Sequence, residues 1–191
     1  MMITPHLTLT EAACFVLNES DSRTKVELTR SFAIAWASGL ITKVGTQFPP
    51  DRPARPDLPK LKNPSEMPRR RKTGFQGKLA FIHSIAHIEL NAIDLAWDIV
   101  CRFVHEDLPI CFYNDFVGIA LDESEHFAML VRRLNSLKTH YGDLAAHDGL
   151  WEAADKTKDD LASRLALVQM ILEARGLDTS PTAAKRFKDA G

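Results

Sequence analysis

The sequence contains few cysteines and no excess of charge of either sign. Cys14, Cys101 and Cys111 are the three cysteines among 191 residues, and they form no Cys-x-x-Cys pair. An odd number of thiols without that spacing argues against a disulfide framework and against a structural zinc site. The formal net charge of −1 provides no basic field for nucleic acid and no acidic tail. We therefore expect reduced thiols, a cytoplasmic location and no general affinity for nucleic acid.

Long apolar runs, alternating strand patterns and internal repeats are also missing. The apolar runs fall short of the roughly 20 residues that span a membrane, and the first residues, MMITPHLTLTE, lack the order of a signal peptide. Hydrophobic residues still make up 45% of the chain, which is enough for one good-sized domain with a single core. The sequence therefore predicts an all-α protein that does not contact a membrane.

Three regions follow one another along the chain: a helical N-terminal arm at residues 1–47, a proline-rich strap at 48–75 and a helical bundle at 76–191. In the arm, Thr10 is expected to cap a short helix, and a second helix is expected from Asp21 to Ser38. The strap carries QFPPDRPARPDLPKLKNPSEMP, in which each proline disfavours helix. We expect the strap to lie across the bundle in an ordered conformation, and the alternative is a mobile linker.

A basic run, Arg69, Arg70, Arg71 and Lys72, ends the strap. It permits two interpretations, a contact with phosphate or RNA and a solvated rim before a helix. No aromatic residues for base stacking are interleaved with the run, and this favours the solvated rim.

The bundle region predicts three long helices and one short helix. Their expected positions in chain order are 76–104, 109–138, a short helix after Asp148 and Gly149, and 158–175 with Thr157 as its cap. Consecutive long helices with short connections are typical of neighbours in a bundle.

The second long helix carries a polar pair on its apolar face. The apolar residues that recur at helical spacing are Phe116, Ile119, Ala120, Phe127, Leu130, Leu134 and Leu137. Glu123 and His126 fall on the same face, where a carboxylate and an imidazole are costly unless something pairs with them. A metal ion is one such partner, because an inward Glu-x-x-His is the ligand pair of ferritin-like di-iron and di-manganese proteins.

Glu89 on the first long helix and Glu173 on the third are two further candidate ligands. Glu89 lies at the edge of an apolar face, and its alternative partner is Arg133 or Arg164. Glu173 follows small residues along the edge of another apolar face, at Ala162 and Ala166, and its alternative is an ion pair with Arg164 or Arg175. A carboxylate near a helix C-terminus is unfavourable unless a cation lies nearby. Three of the four contributions to a di-metal bundle site are thus present in chain order.

A second polar row on the first long helix consists of His83, His87 and Asp94. Helical spacing places this row about 100° from the centre of the apolar face and about 140° from Glu89, so we do not expect it to share an ion with that glutamate. The i, i+4 spacing of the histidines permits metal chelation, but hydrogen bonds to a neighbouring segment are favoured. The expected partner is the loop AAHDGLWE, which contributes His147, Asp148 and Glu152.

Four segments, HSIAHIELNAIDLAWD, LDESEHFAMLVRRL, YGDLAAHDGLWEAADKT and LEARGLDTSP, resemble an uncharacterised bacterial family of ferritin-like proteins, domain of unknown function 455. The resemblance covers nearly the whole chain, including the strap. It implies a ferritin-like bundle with a carboxylate-bridged di-metal site. At the matching positions it points to Glu89, Glu123, His126 and Glu173 as the ligands.

The chain departs from that family at its end. Family members continue into a further helix with a second Glu-x-x-His, whereas this chain ends at Gly191. The resemblance therefore implies a truncated, incomplete bundle that lacks its fourth long helix, with one glutamate and one histidine. Uncovered apolar faces favour poor solubility, a loosened bundle or a homodimer that covers the exposed face.

Three functions are compatible with these residues. A metal-dependent oxidoreductase or oxygenase would hold iron or manganese on its oxygen-rich ligands and act on an unknown small-molecule substrate. We expect such activity to be impaired in a chain that lacks ligands. The alternative is a non-catalytic structural or interaction protein whose carboxylates form a buried ion-pair core. An RNA-modifying oxygenase rests on fold analogy and the basic run alone.

Overall fold

The computed structural model describes residues 6–67 and 74–172, and this part of the chain is all-α. Its α-helices are α1 (Leu9–Leu17), α2 (Ser22–Ala37), α3 (Gly74–Arg102), α4 (Ile110–Ser136), α5 (Gly149–Asp155) and α6 (Leu161–Arg164). A 3₁₀ turn, Pro64–Glu66, precedes α3, and α6 continues as the π-helix Leu165–Leu172. The described residues contain no β-strand, so the predicted all-α class is confirmed. The ferritin-like arrangement fits these helices and stays a prediction.

One hydrophobic core joins the first four helices. Helices α3 and α4 make the most extensive helix contact, while α1 packs on α3 and α2 packs on α4. Phe32 on α2, Trp97 on α3 and Leu134 on α4 are fully buried in this core. The two helices of the predicted arm therefore share their core with the two long helices of the predicted bundle.

Helix α1 begins two residues earlier than predicted. The Thr8 hydroxyl accepts from the Glu11 backbone N–H, and the Glu11 carboxylate accepts from the Thr8 backbone N–H at 2.8 Å. This reciprocal capping box satisfies two backbone donors at the start of the helix. Thr10 is instead a buried residue within α1, where its hydroxyl accepts from the Gln47 N–H at 3.0 Å.

The cap of α6 also differs from the prediction. The Asp160 carboxylate, not the Thr157 hydroxyl, accepts from the Ser163 backbone N–H and caps this helix. The Thr157 hydroxyl contacts the end of α5, where it donates to the Ala154 carbonyl at 3.1 Å and accepts from the Arg164 guanidinium. Thr157 therefore joins α5 to α6 instead of starting α6.

The described part of the strap is ordered against the helices, as expected. The Ala54 N–H donates to the carbonyl of Leu17 at the end of α1, and Arg102 on α3 donates to the carbonyl of Pro50. Further along, the N–H groups of Lys62 and Ala146 pair with carbonyls of the opposite segment. The strap therefore spans from α1 to the segment before α5. These contacts favour the ordered strap over the mobile linker.

Helix α3 is long and apolar enough to cross a membrane by length and composition, which the apolar runs alone did not reveal. In this fold 61% of the most apolar 18-residue stretch of α3 is buried inside the protein. The helix also carries Asp94 and Asp98, which form buried ion pairs. These properties are those of a core helix.

Candidate metal centre

Glu89, Glu123 and His126 come together where α3 and α4 pack side by side. One carboxylate oxygen of each glutamate and one ring nitrogen of His126 all lie within 4.8 Å of one another. The His126 Nδ1 atom is 3.0 Å from Glu123 Oε2. The i, i+3 spacing on α4 places these two side chains one above the other. The cluster therefore unites three of the four predicted ligands.

The cluster lies at the edge of the core. The Glu123 side chain is 18% exposed and the His126 side chain is 49% exposed. The expectation that His126 points into the helix-packing core is therefore wrong, and Ile119 is exposed as well. The reason is that the buried face of α4 is narrower than its apolar stripe. That buried face contains Phe116, Ala120, Phe127 and Leu134.

The donor set fits a hard divalent cation. The His126 Nδ1 and Glu123 Oε2 atoms lie within hydrogen-bond distance at 3.0 Å, and an ion bound by both atoms would replace this hydrogen bond. Two carboxylates with one imidazole suit manganese or iron better than a soft, thiolate-seeking metal. The exposed side of the cluster leaves room for a further ligand.

The arginines suggested as alternative partners of Glu89 make contacts elsewhere. Arg164 donates to Asp98 Oδ2 at 2.6 Å and to the Ala154 carbonyl at 2.7 Å. Arg133 lies near Ser136 on its own helix. The observed neighbours of Glu89 in the cluster are Glu123 and His126.

Glu173, the fourth predicted ligand, lies outside the described residues, as do Arg69, Arg70, Arg71 and Lys72. The prediction that Glu173 lies on an inward edge, in one row with Ala162 and Ala166, assumed α-helical spacing from Ala162 onward. The described helix changes to π-helical hydrogen bonding at Leu165, where each bond spans five residues. Both Ala162 and Ala166 are exposed, so the small residues expected to leave room for an ion do not line a buried edge.

His83 and His87 bind a neighbouring segment, as favoured from the sequence. The His87 Nε2 atom is 3.1 Å from the His147 carbonyl, and its Nδ1 atom is 2.8 Å from the Tyr141 hydroxyl. A carbonyl only accepts, so Nε2 carries the proton and Tyr141 donates to Nδ1. The His83 Nε2 atom accepts from the Gly142 N–H at 2.9 Å. The contact between Tyr141 and the histidines was not predicted, and the Tyr141 ring also packs on Phe127 of α4.

Burial makes His87 a source of acid sensitivity. Desolvation, assisted by the nearby positive charge of Arg55, lowers the pKa of His87 to about 4 from 6.5. The unfolded chain takes up the proton as pH falls through 6.5, whereas the folded protein resists protonation until about pH 4. His87 should therefore cost about 3 kcal/mol of stability as pH falls across this window.

The test compares urea unfolding of the wild type and His87→Gln between pH 7 and pH 4. Burial also lowers the pKa of His83 and raises that of Asp148, and both effects persist in the variant. The stability difference between the two proteins isolates His87 and should shift by about 3 kcal/mol in favour of the variant at low pH. A difference that stays constant with pH would contradict the assignment.

Two groups of buried charges were not found from the sequence. In the first, Asp94 accepts from Lys25 Nζ at 2.5 Å and lies 2.7 Å from Arg55 Nη1. The Lys25 ammonium thus reaches α3 from α2, and the Arg55 guanidinium reaches it from the strap. Asp94 was expected to accompany the histidines, yet its partners are these two cations. An aspartate on the buried stretch of α3 was the available signal, because a buried carboxylate requires a cation.

The second group centres on Asp98, which has no exposed surface. Arg102, one turn further along α3, donates to it at 2.6 Å, and Arg164 of α6 donates at the same distance. The Arg164 side chain is 1% exposed, so both charges of this pair are removed from water. The pair holds α6 against α3.

Asp148 and Glu152, both predicted to support the histidine row, have different positions. Asp148 is buried and pairs with Arg52 of the strap, with Arg55 Nη2 4.0 Å from its other oxygen. Glu152 is exposed and lines a polar groove between the strap and α5. The loop therefore binds the strap as well as α3.

The fold and the cluster together define an all-α protein with a carboxylate–histidine group between its two longest helices. Residues 18–191 match the family described as "Protein of unknown function (DUF455)", and the chain belongs to that family. An uncharacterized protein of Haemophilus influenzae is 41% identical over 139 residues, which cover 70% of this chain and 48% of the relative. The chain thus spans about half the length of that curated relative. No solved structure matches the chain.

Proposed function

We propose that Glu89, Glu123 and His126 bind iron or manganese and that the complete site serves an oxidoreductase or oxygenase reaction on a substrate of unknown class. The observation that carries the proposal is the convergence of one imidazole and two carboxylates from two helices within 4.8 Å. The donor types favour these metals. A bound ion of this kind would supply redox chemistry that amino-acid side chains do not provide.

The roles of the three side chains follow from their positions. Glu123 is 18% exposed, so its carboxylate is held in a more restricted environment than the His126 imidazole. Glu89 approaches from α3 and would tie the ion to the opposite helix. Glu173 remains the predicted fourth ligand, and a second ion would require ligands beyond these three.

Elemental analysis tests the proposal directly. Separate samples of the purified protein are equilibrated with Fe(II) or with Mn(II) without oxygen, desalted and analysed for bound metal, because Zn(II) in the same sample would compete for any site of nitrogen and oxygen ligands. We expect iron or manganese to be retained by the wild type and lost from Glu89→Gln. Admission of air to the Fe(II) form should then produce a charge-transfer absorption band. Absence of retained metal at high protein concentration would refute the proposal.

A second candidate is a non-catalytic helical protein in which the acidic side chains are structural. Its support is the pair of buried charge groups around Asp94 and Asp98 and the contact between Glu123 and His126, which is an ion pair when the imidazole is protonated. Under this alternative, Glu123→Ala lowers the free energy of unfolding and leaves metal content unchanged. Under the metal proposal, the same variant loses metal.

A further inference from the structure

An apolar groove of about 470 Å³ lies between α2 and α4. Its walls include Ala33, Trp36 and Ala37 of α2, and Val117, Gly118 and Leu121 of α4. At about 100° per residue, Gly118 is about 140° around α4 from Glu123. The groove is therefore separate from the candidate metal centre.

The groove is lined by small residues and by the indole of Trp36, whose N–H group already has a hydrogen-bond acceptor. A Cβ added at Gly118 would meet no atom within 4 Å, so the surface above this residue is open. The Trp36 Nε1–H donates to Asn114 Oδ1 at 2.8 Å. Because its polar atom already has a partner, the indole offers the groove mainly apolar surface.

Large exposed hydrophobic side chains lie on or next to the elements that form the groove, and one of them, Ile110, lines it. Ile34 is 63% exposed, Leu40 is 66% exposed and Ile110 is 57% exposed. Ile34 lies on α2, Leu40 follows that helix, and Ile110 is the first residue of α4. Single exposed hydrophobic residues are common, but a set beside an apolar groove marks an interaction surface.

The charge on the α4 side of the groove indicates the partner. Asp115 and Asp122 are exposed and lie on the same side of Gly118 by helical spacing. In the described part of the chain neither forms an ion pair, whereas the nearby Glu125 is neutralised by Arg30 at 2.7 Å. An unbalanced acidic edge beside an apolar groove is complementary to a basic, amphipathic partner.

We propose that this groove binds an amphipathic helix of a partner protein, with branched apolar side chains between α2 and α4 and lysine or arginine side chains against Asp115 and Asp122. The mode is that of a helix laid into a hydrophobic groove, with anchors one turn apart. The small side chains of Ala33, Ala37 and Gly118 allow the partner backbone to approach closely.

Tryptophan fluorescence provides a direct measurement. The probe is a leucine–lysine peptide of about 18 residues at amphipathic helical spacing, long enough to hold a helix and free of tryptophan. Trp97 and Trp151 are buried, so a change in emission on titration reports Trp36 in the groove. We expect a saturable blue shift that weakens as salt is added. A peptide with glutamate in place of lysine should not bind.

Gly118→Leu is the decisive variant. It fills the groove from an open position and favours helix, so the variant should fold, with circular dichroism and urea unfolding as checks. We expect peptide affinity to fall at least about tenfold, the effect of losing 1.4 kcal/mol. Asp115→Asn with Asp122→Asn should weaken binding about threefold, because exposed charge pairs contribute little individually. Asp57→Asn with Asp159→Asn, both exposed and outside α2 and α4, is the matched control.

Two results would overturn the proposal. The first is equal peptide binding by folded Gly118→Leu and by the wild type. The second is self-association of the wild type that Gly118→Leu abolishes, since this would assign the groove to a second copy of the chain. Peptide binding by Glu123→Ala separates this proposal from the metal centre and should equal that of the wild type.

Discussion

Replacing Asp98 by alanine should lower the free energy of unfolding by about 3–5 kcal/mol, which is the cost of leaving a buried charge without its partner. Asp98 has no exposed surface, and Arg164, its partner on α6, is 1% exposed. Removal of the carboxylate leaves the Arg164 guanidinium buried without a countercharge. Arg102 loses its partner too, but its side chain is 14% exposed and can turn toward water.

Urea unfolding monitored by circular dichroism measures this effect. The control is Asp155→Ala, which removes a pair with Lys158 whose side chains are 52% and 46% exposed. Such a surface pair contributes at most about 1 kcal/mol. The double variant Asp98→Leu with Arg164→Met removes both buried charges and should recover part of the lost stability. A change of less than about 1 kcal/mol in Asp98→Ala would show that the pair does not hold α6 in place.

Replacing His126 or Glu123 by alanine should weaken Mn(II) binding by at least about 100-fold. Each residue supplies one of the three donor atoms that lie within 4.8 Å of one another. Two remaining donors cannot enclose the ion to the same extent, and His126 has no other described partner besides Glu123. Isothermal titration of the purified protein with manganese chloride measures the loss.

The expected pattern separates a ligand from a structural residue. His126→Ala should change the free energy of unfolding without metal only slightly, because the His126 side chain is half exposed. Asp122→Asn, an exposed carboxylate adjacent to Glu123, is the matched control and should bind manganese as the wild type does. If Glu123→Ala keeps its affinity for manganese and unfolds more readily, the cluster is a structural ion pair.

Helical periodicity predicted the positions and the apolar faces of the long helices well where the helix is regular along its length. The apolar spacing on α3 and α4 placed both long helices within a few residues of their observed ends. It also placed Glu89, Glu123 and His126 on faces that meet, and the loop predicted to receive the histidine row does accept a hydrogen bond from His87. Such features depend on residues three or four apart on one helix, and this information is local.

Features that depend on competition between chemically similar neighbours were predicted less well. Thr10 and Thr157 both suit a helix cap, but Thr8 and Asp160 have the better-placed acceptors. The third long helix was predicted at constant α-helical spacing, yet it changes to π-helical bonding at Leu165. Residue type alone does not decide which side chain caps a helix, because several neighbouring side chains can accept the same hydrogen bond. Nor does it decide where the type of helix changes.

The sequence by itself determined that the chain is helical, which faces of its long helices are apolar, and which acidic and histidine side chains stand on or near those faces. Only the tertiary structure decided that His126 is half exposed, that Asp94 and Asp98 are neutralised by Lys25, Arg55, Arg102 and Arg164, and that a groove opens between α2 and α4. The physical reason is that periodicity fixes the direction of a side chain on its own helix. Burial and pairing depend on which other segment, often more than 60 residues away, packs against it.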